Sequence, residues 1–263
     1  KNDYLFCKQG QRSIKIYADG ALGSRGAALL ESYEDKDSRG LVLLDSDIDS
    51  YLRKIAMRNC QIQIHAIGDR GNQMVLNAYE KAYKDFPKKD LRWRIEHAQN
   101  VIEADRKRFK ELNIIASMQP SHAIGDLHFA EDRLGFERLS NAYTWKSFID
   151  DGVVVVGGSD APVEVGDPII EFYAAVTRKD LDGYSNEGWN LQQALSREQA
   201  LAIFTKWPAY AIFKEDKLGT LEIGKLADIT IFDQDIMTIP NEDILATKVV
   251  MTVVGGKIVY ING

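Results

Sequence analysis

Only two cysteines, Cys7 and Cys60, occur among the 263 residues, and neither stands in a CxxC pair. That count is too low for a disulfide framework, and the CxxC metal pair is absent. It fits a reducing compartment, so a cytoplasmic protein is expected. Positive charge is not in excess either, the formal net charge being −6. Nothing in that balance favours nucleic acid or an anionic membrane as a partner. No apolar run is long enough to cross a bilayer. Residues 1–11 contain no apolar stretch of the kind a signal peptide needs. The glycines between Gly20 and Gly40 lack the spacing of a phosphate loop. Internal repeats and low-complexity segments are missing as well. What remains is 45% hydrophobic and 27% charged, an ordinary globular composition with enough apolar material for a full core.

Five strand-like runs each lead to a polar residue that can bind metal or move a proton. Residues 14–18 lead to Asp19 and contain Lys15; residues 61–64 lead to His65; residues 91–96 lead to His97; residues 113–118 lead on to His122; and residues 153–157 lead on to Asp160. Helical patterns follow most of them, over residues 47–60, 72–86, 103–112 and 137–150. Pro168 opens another, at a favoured helix position, and Ser196 with Gln199 makes a capping-box pattern before an amphipathic run that Pro208 interrupts. Residues 19–40 and 119–135 read as long loops, which in compact domains are usually functional. After residue 213 the pattern changes. Residues 218–225 and 228–233 read as short strands, and residues 248–260 as a hairpin around Gly255-Gly256. Strand, helix and polar strand end repeat in the manner of a (β/α) barrel, whose catalytic residues sit at the C-terminal ends of parallel strands. A closed barrel takes eight such units and about 250 residues, so five leave it three short. The expected fold is α/β: a partial TIM-like (β/α) barrel over residues 1–213 and a small β segment over 214–263. Exposed sheet edges predict a homo-oligomer.

Six motifs then stand together: Lys15-Ile-Tyr-Ala-Asp-Gly-Ala-Leu-Gly-Ser-Arg25, His65-Ala-Ile-Gly-Asp-Arg70, Arg94-Ile-Glu-His97, Gln119-Pro-Ser-His122, Gly158-Ser-Asp-Ala-Pro162 and Gly219-Thr-Leu-Glu-Ile-Gly-Lys-Leu-Ala-Asp228. In this order they resemble the amidohydrolase superfamily, most closely its family 3 branch with the N-substituted formamide deformylases. The resemblance runs from about Ile14 to Tyr260. It implies a metal-dependent hydrolase acting on carbon–nitrogen bonds of non-peptide amides, with one or two divalent ions, zinc first. It implies that Lys15, His65, His97, His122 and Asp160 stand on barrel strands four to eight, and that residues 214–263 are the C-terminal part of a small β-sandwich. The strand-one His-x-His of the family has no counterpart, since none of the four histidines lies two residues from another. The resemblance therefore implies the C-terminal portion of the family pattern. The alternative is a truncated, catalytically inactive fragment or regulatory remnant.

Residue types alone leave each role open. His65 and His97 suit a borderline ion such as Zn²⁺, whereas a lone histidine is more often a satisfied core residue. Lys15 lies in an apolar run and is expected to be buried, where an ammonium must be paired, with Asp19 or Glu96, or neutral. The resemblance implies a carbamylated Lys15, and burial would favour the neutral amine that carbamylation needs. Asp160 reads as a turn aspartate. By resemblance it binds metal and shuttles a proton from water to the leaving amine. His122, Asp69, Arg70, Asp19 and Arg25 are candidate substrate contacts. For Asp69 and Arg70 the plainer reading is an ordinary first helical turn, and for Asp19 and Arg25 it is loop organisation. Phe172, Tyr173, Trp145 and Trp189 shape a pocket or pack the core.

Overall fold

Isoleucine at every second position decides which face of the parallel sheet is covered. The computed structural model describes residues 13–87, 90–185 and 188–263. In chain order the elements are β1 (Ser13–Tyr17), α1 (Ile48–Met57), β2 (Gln61–Ala66), α2 (Asp69–Asp85), β3 (Arg94–His97), α3 (Glu103–Glu111), β4 (Ile115–Met118), α4 (Pro120–Asp126), α5 (Ala130–Leu134), α6 (Trp145–Asp150), β5 (Val155–Gly157), α7 (Pro168–Thr177), α8 (Arg197–Phe204), α9 (Lys206–Ala211), β6 (Ile229–Phe232), β7 (Val249–Val254) and β8 (Lys257–Ile261). Strands β1 to β5 form one sheet in sequence order and β6 to β8 a second. Pairing is parallel from β1 through β4. Parallel neighbours need a crossover, and α1, α2 and α3 lie in the first three. The strand order is linear, with β1 and β5 at its ends, so the described residues make an open sheet and do not close a barrel. None of their helices is long and apolar enough to cross a membrane.

The chain divides into two compact units. The first takes the described residues up to Met118 together with Asp126–Val155, and the second takes Gln119–Gly125 and Val156–Gly263.

In the first unit, register aligns rows of side chains. Lys15, Gln63, Arg94 and Ile115 form one row, and Tyr17, His65, Glu96 and Ser117 another. Ile16, Ile64, Ile95 and Ala116 form a row on the opposite face. Leu52 and Ile55 of α1 and Val75, Leu76 and Tyr79 of α2 are buried, as are Ile62, Ile64 and Ile95. Tyr79 packs its ring 5.0 Å from that of Trp93. Fully burying a side chain such as Leu52 or Val75 contributes about 1.5–3 kcal/mol.

In the second unit Asp167 caps α7 by accepting from the Ile169 NH at 2.8 Å, with Pro168 at the first helical position. The Ser196–Gln199 capping box on α8 is formed in both directions. Strands β6, β7 and β8 form an antiparallel sheet with β7 in the middle, and every residue of β8 is exposed.

Several expectations are corrected. Lys15 is exposed, because the isoleucines on either side of it point to the other face. The supposed loop 119–135 contains α4 and α5, with Pro120 starting the first at a position where its missing NH is harmless. Residues 137–150 are not one helix but a 3₁₀ segment, Glu137–Asn141, followed by α6. Residues 218–225 form turns rather than strands: the Leu226 NH donates to Lys217 O at 2.9 Å, and Lys225 Nζ to Thr220 Oγ1 at 2.6 Å. Pro208 does not end a helix but lies in the first turn of α9. Phe172, Tyr173 and Trp145 are core residues. Cys60 is buried, and Cys7 lies outside the described residues.

Candidate metal and substrate site

The C-terminal ends of β2 and β3 bring His65 and His97 together. Their ring centroids are 4.4 Å apart, edge to face at 69°. His65 reaches this place by simple alternation, in the row with Tyr17 and Glu96. His97 does not. It follows Ile95 by two residues, and alternation would send it to the helix-covered face. The backbone turns instead, with φ +76° at His97 and +43° at Ala98. Left-handed backbone costs a non-glycine residue about 1–2 kcal/mol, and such strain persists where the surroundings fix it, often at functional sites. Both imidazoles are largely buried.

Around the pair, carboxylates hold the backbone. Asp19 is fully buried and accepts three backbone NH groups, from Ala28 (2.9 Å), Ile67 (2.9 Å) and Gly68 (2.8 Å). One of its oxygens lies 3.5 Å from His65 Nε2. Burial pushes its pKa up to about 6, outweighing the NH donors that favour the ion. Asp69 opens α2 and accepts from the Leu30 NH at 2.8 Å, and burial raises its pKa too. Together they fasten the glycine-rich loop to the β2–α2 turn. The approach is tight, because a Cβ on Gly68 would come within 1.9 Å of Ala28 O. Arg25 forks onto Asp35 at 2.9 and 2.6 Å, and its hydrogen bond holds Asp35 below the usual carboxylate value. Arg133 shares the same carboxylate. Arg70 is exposed. Lys15 holds its ammonium 5.4 Å over the Tyr17 ring, while Glu96 pairs with Arg94 at 2.7 Å. Lys15 is thus exposed rather than buried, and Glu96 is paired elsewhere.

In the second unit His122 is buried on α4, with Nε2 3.8 Å from Glu164 Oε1. Glu171 accepts the NH of the neighbouring Ser121 at 3.0 Å, and burial raises its pKa. Asp160 is exposed, three residues past β5, at φ +57°, and its carbonyl accepts the Val163 NH at 3.0 Å.

Sequence reasoning missed Asn72, Asn100 and Glu171. The signal for Asn72 was present, since it interrupts the apolar stripe of Val75, Leu76 and Tyr79 on α2. Among the described residues no group of three or more His, Cys, Asp or Glu side chains converges to hold a metal ion. A catalytic zinc site takes three protein ligands and an open position. His65 and His97 have the right donor chemistry and proximity to supply two of them.

The sequence pattern of the amidohydrolase family matches residues 8–260. Bacillus subtilis YtcJ is 34% identical over 250 residues, which cover 94% of this chain and 47% of that protein. The N-substituted formamide deformylase of Arthrobacter pascens is 26% identical over 220 residues, 82% of this chain and 39% of its own length. A solved structure of an uncharacterised metal-dependent hydrolase from Pyrococcus furiosus superposes with a TM-score of 0.70 at 31% identity, covering 81% of this chain and 42% of that one. The chain thus spans less than half the length of these relatives. With six motifs in order, a family-wide match and a shared fold, the chain belongs to the amidohydrolase family, in its family 3 branch.

Proposed function

We propose that the chain is the strand-four-to-eight portion of a barrel hydrolase that cleaves carbon–nitrogen bonds in non-peptide amides, with residues 214–263 as part of a β-sandwich. Family membership and the names of the Arthrobacter and Pyrococcus relatives support this reading. The observation that carries it is the His65–His97 contact at adjacent strand ends, built against alternation by left-handed backbone. The pair would hold a divalent ion, zinc first. Such an ion, when bound, lowers the pKa of water enough to make it a nucleophile at neutral pH. Asp160 takes up and returns the proton, as a carboxylate on an exposed turn can. His122, Asp69 and Arg70 face the substrate. Asp19 and Arg25 act through the loop they fix. Lys15 as a carbamylated ligand rests on the family resemblance alone.

A second reading is an inactive or regulatory fragment, favoured by the two-imidazole donor set among the described residues. Elemental analysis of the purified chain and of its His65→Ala/His97→Ala variant tests the metal reading. About one zinc per chain, lost in the variant, is expected; equal metal in both refutes the pair as ligands. Amide hydrolysis that returns on co-expression with an N-terminal segment of a longer relative separates the enzyme from the remnant.

A further inference from the structure

We propose that Asn72 is a positioning residue that fixes the separation of His65 and His97 from the far side of the sheet. The parallel ladder between β2 and β3 ends at the pair Ala66 and His97. Beyond it, side-chain amides take over. Asn72, fully buried on α2, directs its Nδ2 at three carbonyl oxygens: Ala66 (3.2 Å) and Gly68 (2.9 Å) on the β2 exit, and Asn100 (3.2 Å) on the β3 exit. Asn100 closes the link from the other side, its backbone NH and its Nδ2 both donating to Ile67 O, at 2.9 and 3.1 Å. Ala66 follows His65 directly, and Asn100 lies three residues past His97. The two segments that carry the imidazoles are therefore joined by two side-chain amides, that of Asn72 on α2 and that of Asn100.

Orientation is set by chemistry, because three carbonyls require the amide nitrogen and not its oxygen. The Oδ1 atoms of Asn72 and Asn100 are buried without a hydrogen-bond partner among the described residues. A leucine at position 72 would suit the apolar stripe and bury no such oxygen. What asparagine adds at this position is its amide donors. Metal-ligand geometry is commonly set by partners one layer out, and losing them weakens the site without removing a ligand.

The inference deepens the reading of His65 and His97 as a metal-holding pair and rests on it for its purpose, but its test needs no metal. Metal-free protein carrying labelled histidine is examined for nuclear Overhauser contact between the two rings. Wild type shows the contact. Asn72→Leu, nearly isosteric but without donors, is expected to lose it while keeping wild-type circular dichroism. Val75→Ala, which removes buried apolar volume from the same helix and leaves the amides intact, is expected to lower the melting temperature and keep the contact. A contact that survives Asn72→Leu, or that is lost in both variants, overturns the proposal. A contact absent from wild type overturns the juxtaposition itself. Metal that fails to bind while the ring contact is present and responds to Asn72→Leu sinks the metal reading and leaves the positioning role standing.

Discussion

Replacing Asp19 by asparagine should make the protein's stability respond differently to pH. The carboxyl is fully buried and its pKa is pushed up to about 6 from an ordinary 3.8. Below about 3.8 both folded and unfolded chains hold the proton, and ionisation costs nothing extra. Between 3.8 and about 6 the unfolded chain releases the proton that the folded chain keeps, so stability falls as pH rises through this window. Above it the full penalty stands, about 3 kcal/mol at 1.36 kcal/mol per pKa unit. The variant's amide cannot ionise, so that penalty disappears. It also turns an NH₂ toward one of the three backbone donors now held by Ala28, Ile67 and Gly68, and an orphaned buried donor costs about 1–3 kcal/mol. At acid pH only this loss remains, and Asp19→Asn should be less stable than wild type by about that amount. At neutral pH the two effects nearly cancel. Urea unfolding of both proteins at pH 4 and pH 7.5 reads the difference, and taking variant against wild type removes the titration of every other group. The gap should move by about 2–2.5 kcal/mol in favour of the variant between these two pH values, since part of the penalty is already present at pH 4. A gap that stays constant, or moves the other way, refutes the buried-ion argument.

Two further outcomes follow from the same geometry. Gly68→Ala places a Cβ where Ala28 O now lies, so the loop must part from the β2–α2 turn; a cost of about 1–3 kcal/mol or more is expected, with proteolysis inside residues 20–40 much faster than in wild type. Ser196→Ala removes the acceptor for the Gln199 NH and should destabilise the second unit by about 1 kcal/mol in thermal unfolding; an unchanged transition would mean the capping box contributes nothing there.

Much of this was legible where a local pattern determines a local structure. The alternation of residues 61–66 marks β2 to its ends, Pro168 opens α7, and Ser196 with Gln199 caps α8. The face of α1 was readable from Ile48, Leu52, Ile55 and Ala56, all of them buried. Lys15 shows how apolar neighbours mislead. Ile14 and Ile16 adjoin it in sequence, and for that reason point away from it. The turns of residues 218–225 escaped because apolar alternation there meets no partner strand among the described residues. The meeting of His65 with His97 could not be read from spacing, since it depends on a backbone reversal that histidine and alanine do not advertise. Asn72 was visible as an interruption in a stripe, but its three acceptors come from carbonyls, which carry no sequence signature.

The left-handed backbone at His97 and Ala98 bears on how this chain tolerates change. Ala98 is fully buried and carries no chemistry, yet it answers to two demands. Its side chain must be small, and its backbone must accept φ +43°. A β-branched residue fails both. Glycine meets both but unlocks the reversal, letting the preceding imidazole swing back toward the helices. Sensitivity to mutation therefore reaches one position past His97, to a residue that a library randomised only at reactive side chains would leave untouched.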